Sequence, residues 1–163
     1  VGALGADAAG ESLREQKRYV EARPLLERAF ALLTRIHGPS HFQTLSAQNA
    51  LTDTLVGMGD DVAAEKQARA LLATMQALPD GHGDHGAARS LLAKILVHEK
   101  RFAEAERELN EAWSAQKMYT THIDEPTDLI RDHMALYAAW GKLQLVEQWR
   151  AELPAGAAVE PGS

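Results

Sequence analysis

The chain has 163 residues, 45% of them hydrophobic and 25% charged, a composition that buries about two thirds of the unfolded surface and excludes disorder through most of the length. A net charge of -6 excludes the overall positive field that gathers nucleic acid or anionic lipid. No apolar run approaches the roughly 20 residues of a membrane span, and the uncharged start Val1–Ala6 is too short for a signal peptide.

The 29 Ala and 21 Leu, set against 11 Val plus Ile, favour helices, because Ala and Leu lose little rotamer freedom there. An all-α fold is predicted. The first helix runs from Ala3 to Gln16 and the second from Val20 to His37, with Pro24 placed in the opening turn of the second, where its missing N–H costs little. Gly38 and Pro39 end that unit. Helices over Gln43–Met58 and Val62–Ala77 follow, with Gly57 and Gly59 between them as breakers. The stretch Pro79 to Gly86 is predicted to be the most mobile internal loop. After it come helices His85–Glu99 and Ala103–Tyr119, then Pro126–Trp140, capped by Asp124, and Gln144–Leu153 beyond Gly141. Residues 154–163 turn to Ala, Gly, Pro and Ser, which predicts a disordered tail.

The chain also repeats. Lys17, Arg18, Tyr19, Val20, Glu21, Ala22 is echoed 83 residues on by Lys100, Arg101, Phe102, Ala103, Glu104, Ala105. Halving that offset reaches Gly59 to Ala64, and a further step reaches Gly141 to Val146. Steps of 42, 41 and 41 align Ala22, Ala64, Ala105 and Val146 in the second helices, and Leu13, Leu55, Leu96 and Tyr137 in the first. Residues 1–153 therefore read as one α-solenoid of about four helical hairpins, with units near 3–37, 43–77, 85–119 and 126–153.

A stacked helical hairpin is the tetratricopeptide pattern, and particular stretches narrow it. Gly38, Pro39, Ser40, His41, Phe42, Gln43, Thr44, Leu45 resembles the G-P-x-H-P-x-T-L linker of kinesin-light-chain-like tetratricopeptide repeats. Asn49, Ala50, Leu51 resembles their N-N-L, and Tyr19, Glu21, Ala22, Pro24, Leu25, Arg28, Ala29 their Y-x-E-A-x-P-L-x-x-R-A. The third unit keeps Phe102, Glu104, Ala105 and Ala112. In the fourth, Leu136, Tyr137, Trp140, Gly141, Lys142, Trp149, Arg150, Leu153 resembles the closing segment of repeat arrays appended to bacterial serine/threonine protein kinases, although no Gly-rich loop, strand lysine or catalytic-loop Asp with its Asn is present. The resemblance implies a non-catalytic interaction module, a scaffold or adaptor, that binds a protein or peptide in a concave groove, and the absence of cysteine fits a cytoplasmic chain. The missing initiator Met and a first unit without its linker lead us to expect a fragment of a larger regulatory or signalling protein.

The groove is predicted from the period. One column of first-helix residues is Asp7, Asn49, Ser90 and Arg131; a second is Glu11, Asp53, Lys94 and Ala135; a third is Arg14, Val56, Val97 and Ala138. Within each helix these lie at i, i+4 and i+7, hence on one face. Their charge runs from acidic to basic, which predicts a charge-polarised ligand; polar residues on an amphipathic helix can also simply face water. Trp113, Trp140 and Trp149 sit among aliphatics and read as core, with Trp149 covering the end of the stack. Open ends offer a route to self-association. No cofactor is implied. His82 and His85, beside Asp84, are the one metal candidate, against which stand the surrounding glycines and the lack of a third nitrogen; a metal-dependent protein is the alternative from another class. Catalysis is not expected, since neither a G-x-S-x-G elbow nor an embedded acidic pair appears.

Overall fold

The computed structural model describes residues 2–78, 85–119 and 127–157. Among them are the helices α1 (Ala3–Glu15), α2 (Tyr19–His37), α3 (Phe42–Gly57), α4 (Asp61–Gln76), α5 (His85–His98), α6 (Phe102–Tyr119), α7 (Thr127–Trp140) and α8 (Leu143–Ala151), and no strand. Each lies within two residues of its predicted bounds. Consecutive helices pack in antiparallel pairs, as an α-solenoid of hairpins must.

The bend within each pair is the same backbone device four times. Lys17, Gly59, Lys100 and Gly141, spaced by the sequence period, take φ of 58°, 75°, 60° and 78°. The amide that follows each one bonds back to the carbonyl five residues earlier: Arg18 to Leu13, Asp60 to Leu55, Arg101 to Leu96 and Lys142 to Tyr137, at 2.8–3.0 Å. That bond closes the first helix as a Schellman motif and hands the chain directly to the second. It also places the aligned residues: Leu55, Leu96 and Tyr137 are buried, as are Ala22, Ala64, Ala105 and Val146 across the hairpin.

Pro24 departs from the sequence reading. Because α2 begins at Tyr19, Pro24 is the sixth helical residue rather than part of the opening turn. Its ring removes the bond that the Val20 carbonyl would accept. Val20 is 74% exposed, so water can serve that carbonyl instead.

The backbones of the odd-numbered helices approach one another across units, α1 to α3, α3 to α5 and α5 to α7, whereas among the described residues the even-numbered helices meet only through side chains, as in Arg69 with Glu104 and Trp113 with Trp149. Closer spacing on one layer curves the array toward it, so α1, α3, α5 and α7 form the inner, concave side. The core lies between the layers. Gly10 in α1 admits Leu26 of α2 so closely that a Cβ there would sit 2.7 Å from the leucine Cγ.

At the far end the pattern changes. Leu26, Ala68 and Leu109 occupy one period column and are buried; its fourth member, Arg150, is exposed and pairs with Glu147 at 2.8 Å. A charge thus stands where the other units stack, the polar finish a terminal repeat requires. Beyond α8, Pro154 to Ala157 form a turn closed by a 3.0 Å bond, which is more order than the predicted tail. The loop at 79–84, with His82, and the Asp124–Pro126 cap lie outside the described residues.

Candidate recognition groove

The three predicted columns lie on the inner helices α1, α3, α5 and α7, and geometry sorts their members. In the first two units Asp7, Glu11, Arg14, Asn49, Asp53 and Val56 are all half-buried. Arg14 Nη1 reaches Asp53 Oδ2 at 2.7 Å, so these two join units one and two across the face. Three polar atoms there have no hydrogen-bond partner while being covered by neighbouring atoms: Asp7 Oδ1, Arg14 Nε and Asn49 Oδ1. Burial, with repulsion from Glu11 one turn on, raises the Asp7 carboxyl above its ordinary range.

The second half of the face differs. Lys94 and Arg131 are exposed, Ser90 and Val97 half-buried. Lys94 Nζ lies 3.6 Å from Asp132 Oδ1, and the Ser90 hydroxyl donates to the other oxygen of that carboxylate. Arg131 approaches Asp128 at 3.9 Å, one turn before it. Both cations expected to meet a ligand therefore already have an acidic neighbour in the array. The basic end is nearer to neutral than the columns alone suggest.

Asp132 was not foreseen. Its period column is Ala8, Ala50, Leu91 and Asp132, so a charge interrupting an apolar column was the available signal. His133 interrupts the next column in the same way, after Ala9, Leu51 and Leu92. The tryptophans do pack against the core, and Trp149 lies with its ring 4.9 Å from Trp113 and 3.7 Å from His133, at the end of the stack. His41 caps α3 by accepting from the Gln43 amide, and His37 stacks on it at 4.4 Å. His85 opens α5 as a helical residue. Among the described residues no three His, Asp or Glu side chains converge to hold a metal.

Residues 4–77 match the family model of the tetratricopeptide repeat. The first two hairpins are thus tetratricopeptide repeats, and the other two continue the same fold. Two solved structures show the same fold over nearly the whole chain. The nearly identical TPR-like repeats of a putative kinesin light chain from Podosopora anserina align with a TM-score of 0.73 at 20% identity, covering 93% of this chain and 76% of that one. BtubC (BKLC) from P. vanneervenii aligns with a TM-score of 0.73 at 17% identity, covering 97% and 69%. No curated protein matches in sequence. The tetratricopeptide repeat is in general a non-catalytic module for protein–protein interaction, and the repeat geometry continues here through all four hairpins, including the two beyond the matched residues.

Proposed function

We propose that the concave face binds an extended or helical peptide of a partner protein, with the groove residues of α1 and α3 at the centre of recognition. The observation that carries this reading is the set of unpartnered polar atoms on Asp7, Arg14 and Asn49 beside the apolar Val56. A buried polar atom without a partner is costly in the free protein, and a ligand that rearranges the face to pair it recovers that cost on binding. Asn49 suits a peptide backbone because its amide offers both a donor and an acceptor. Asp7 and Glu11 favour basic ligand residues at one end, and Lys94 and Arg131 favour acidic ones at the other by exchanging their partners Asp132 and Asp128.

A cytoplasmic adaptor or the regulatory segment of a larger signalling protein, such as a bacterial kinase, would use this face alike. The second setting is supported by the closing segment from Leu136 to Leu153. Self-association through the last unit is disfavoured by the Arg150–Glu147 pair, which regular stacking would bury.

The test is capture of partners by crosslinking and mass spectrometry, followed by affinity measurement on the peptide identified. Asn49→Ala should weaken binding by about 1–3 kcal/mol, with folding intact. Reversing Lys94 and Arg131 together should weaken it less, and less still at high salt. Unchanged affinity in both variants would move recognition to the convex helices or the hairpin turns.

A further inference from the structure

His133 stands on α7 where units two and three carry Leu51 and Leu92, and its side chain is fully buried. Trp149 of α8 stacks on the imidazole, with ring centres 3.7 Å apart and planes 16° from parallel, and Trp113 of α6 meets it edge-on at 6.2 Å. The Nδ1 atom lies 2.8 Å from the Leu129 carbonyl, and Nε2 lies 3.3 Å from the Asn110 side-chain amide, which can turn either edge toward it. An ionisable ring thus fills the seam between three helices, at a position where the two preceding units use leucine. The helix it holds is nine residues long and has a single buried residue of its own, Val146.

The groups around the ring are already engaged. From α6, Glu106 accepts the Tyr137 hydroxyl at 2.7 Å. On α7, Asp132 holds Ser90 and Lys94 of α5. Tyr137 is pushed up to about 12 by burial and by Glu106, so it stays neutral, and Trp149 hydrogen-bonds to it. On α8, Glu147 and Arg150 pair with each other on the exposed side. Asp132 and Glu106 favour a charged imidazole from a distance, as does the Leu129 carbonyl, but neither carboxylate forms an ion pair with it. Burial outweighs all three and holds the imidazole below its ordinary 6.5. A proton arriving there creates a buried cation with no directly paired anion.

We propose that His133 is a proton-operated latch: the neutral ring keeps Trp149 and α8 docked, and protonation in mildly acidic solution releases α8 while the first three hairpins stay folded. Local release fits a solenoid, in which each unit contacts only its neighbours and the terminal helix is bound on one side.

Hydrogen exchange of the whole chain at about pH 7.5 and about pH 5.5, corrected for intrinsic rates, reads this directly. Protection of residues 143–151 should fall by about tenfold or more at the lower pH, with α2 to α5 changed far less. His133→Leu restores the residue of the two preceding units and keeps every other histidine; its α8 protection should be the same at both pH values. NMR titration of His133 in the unmodified chain should give a midpoint below 6.5. Constant protection of α8 in the unmodified chain, an equal pH response in His133→Leu, or a His133 midpoint at or above 6.5 would each overturn the proposal.

Discussion

Glu65 and Arg101 stand 2.8 Å apart at the place where, one unit earlier, Arg23 and Asp60 stand 3.6 Å apart with the charges exchanged. Stepping Arg23 by 42 gives Glu65, and stepping Asp60 by 41 gives Arg101. The second and third hairpin turns therefore each carry the charge that complements the preceding unit, and a slip that set Arg101 against Arg23 would oppose like charges. Arg101 adds Glu99 and Glu104 to its partners at 2.7–2.8 Å.

Arg101→Glu should accordingly lower the melting temperature, because it brings a fourth carboxylate beside Glu65, Glu99 and Glu104. Adding Glu65→Arg should recover part of the loss, and salt at about 1 M should shrink both effects. A thermal scan of the single and double variants that showed no difference between them would dismiss the charge code.

The turns make a second prediction. A non-glycine residue in the left-handed region costs about 1–2 kcal/mol, so Gly59→Ala and Gly141→Ala should each destabilise by roughly that amount. Lys17→Gly and Lys100→Gly, at φ of 58° and 60°, should stabilise, by less than about 1 kcal/mol because glycine also loosens the unfolded chain. Urea denaturation curves for the four variants decide it; a loss of stability in both glycine variants would contradict the turn geometry.

Asp7 links the groove to pH. Its folded-state pKa is raised above 3.8, first by burial and then by Glu11, so the folded chain binds that proton more tightly than the unfolded chain does. This contribution to stability is complete below 3.8 and is lost as pH rises through the folded value. Asp7→Asn should therefore raise the melting temperature at about pH 7 and leave it nearly unchanged at about pH 3. Equal melting temperatures of variant and parent at neutral pH would mean that the carboxyl finds a partner in solution.

Stacking gives a fourth. Leu55 and Leu96 are 3% and 0% exposed, so a carboxylate placed at either position is cut off from water. Leu55→Asp and Leu96→Asp should each cost several kcal/mol and abolish much of the far-UV helical signal, since each hairpin depends on its neighbours. Retention of full helicity in either variant would mean that the repeat register is misplaced.

The period was the most legible feature of the chain. Ala22, Ala64, Ala105 and Val146, or Leu55, Leu96 and Tyr137, are buried because a repeated hairpin presents the same face to the same neighbour, so one-dimensional spacing already encodes which side chains meet. Helix bounds followed, since the turn breakers act locally. Pro24 stands beyond the opening turn whether α2 is counted from Tyr19 or from the predicted Val20, so the proline by itself does not mark where the helix starts.

What the sequence alone determined was the column to which each residue belongs. What only the tertiary structure decided was the partner each one has. Lys94 reads as a free cation until Asp132 is seen beside it, and Arg14 reads as a groove residue until it is found holding Asp53. Likewise His133 is one polar residue in an apolar column until Trp149 is stacked on it. Columns follow from a fixed step along the helix, which is covalent and local. Partners depend on side-chain directions from two or three helices whose spacing is set by the packing of the whole stack, and no step along the chain contains that distance.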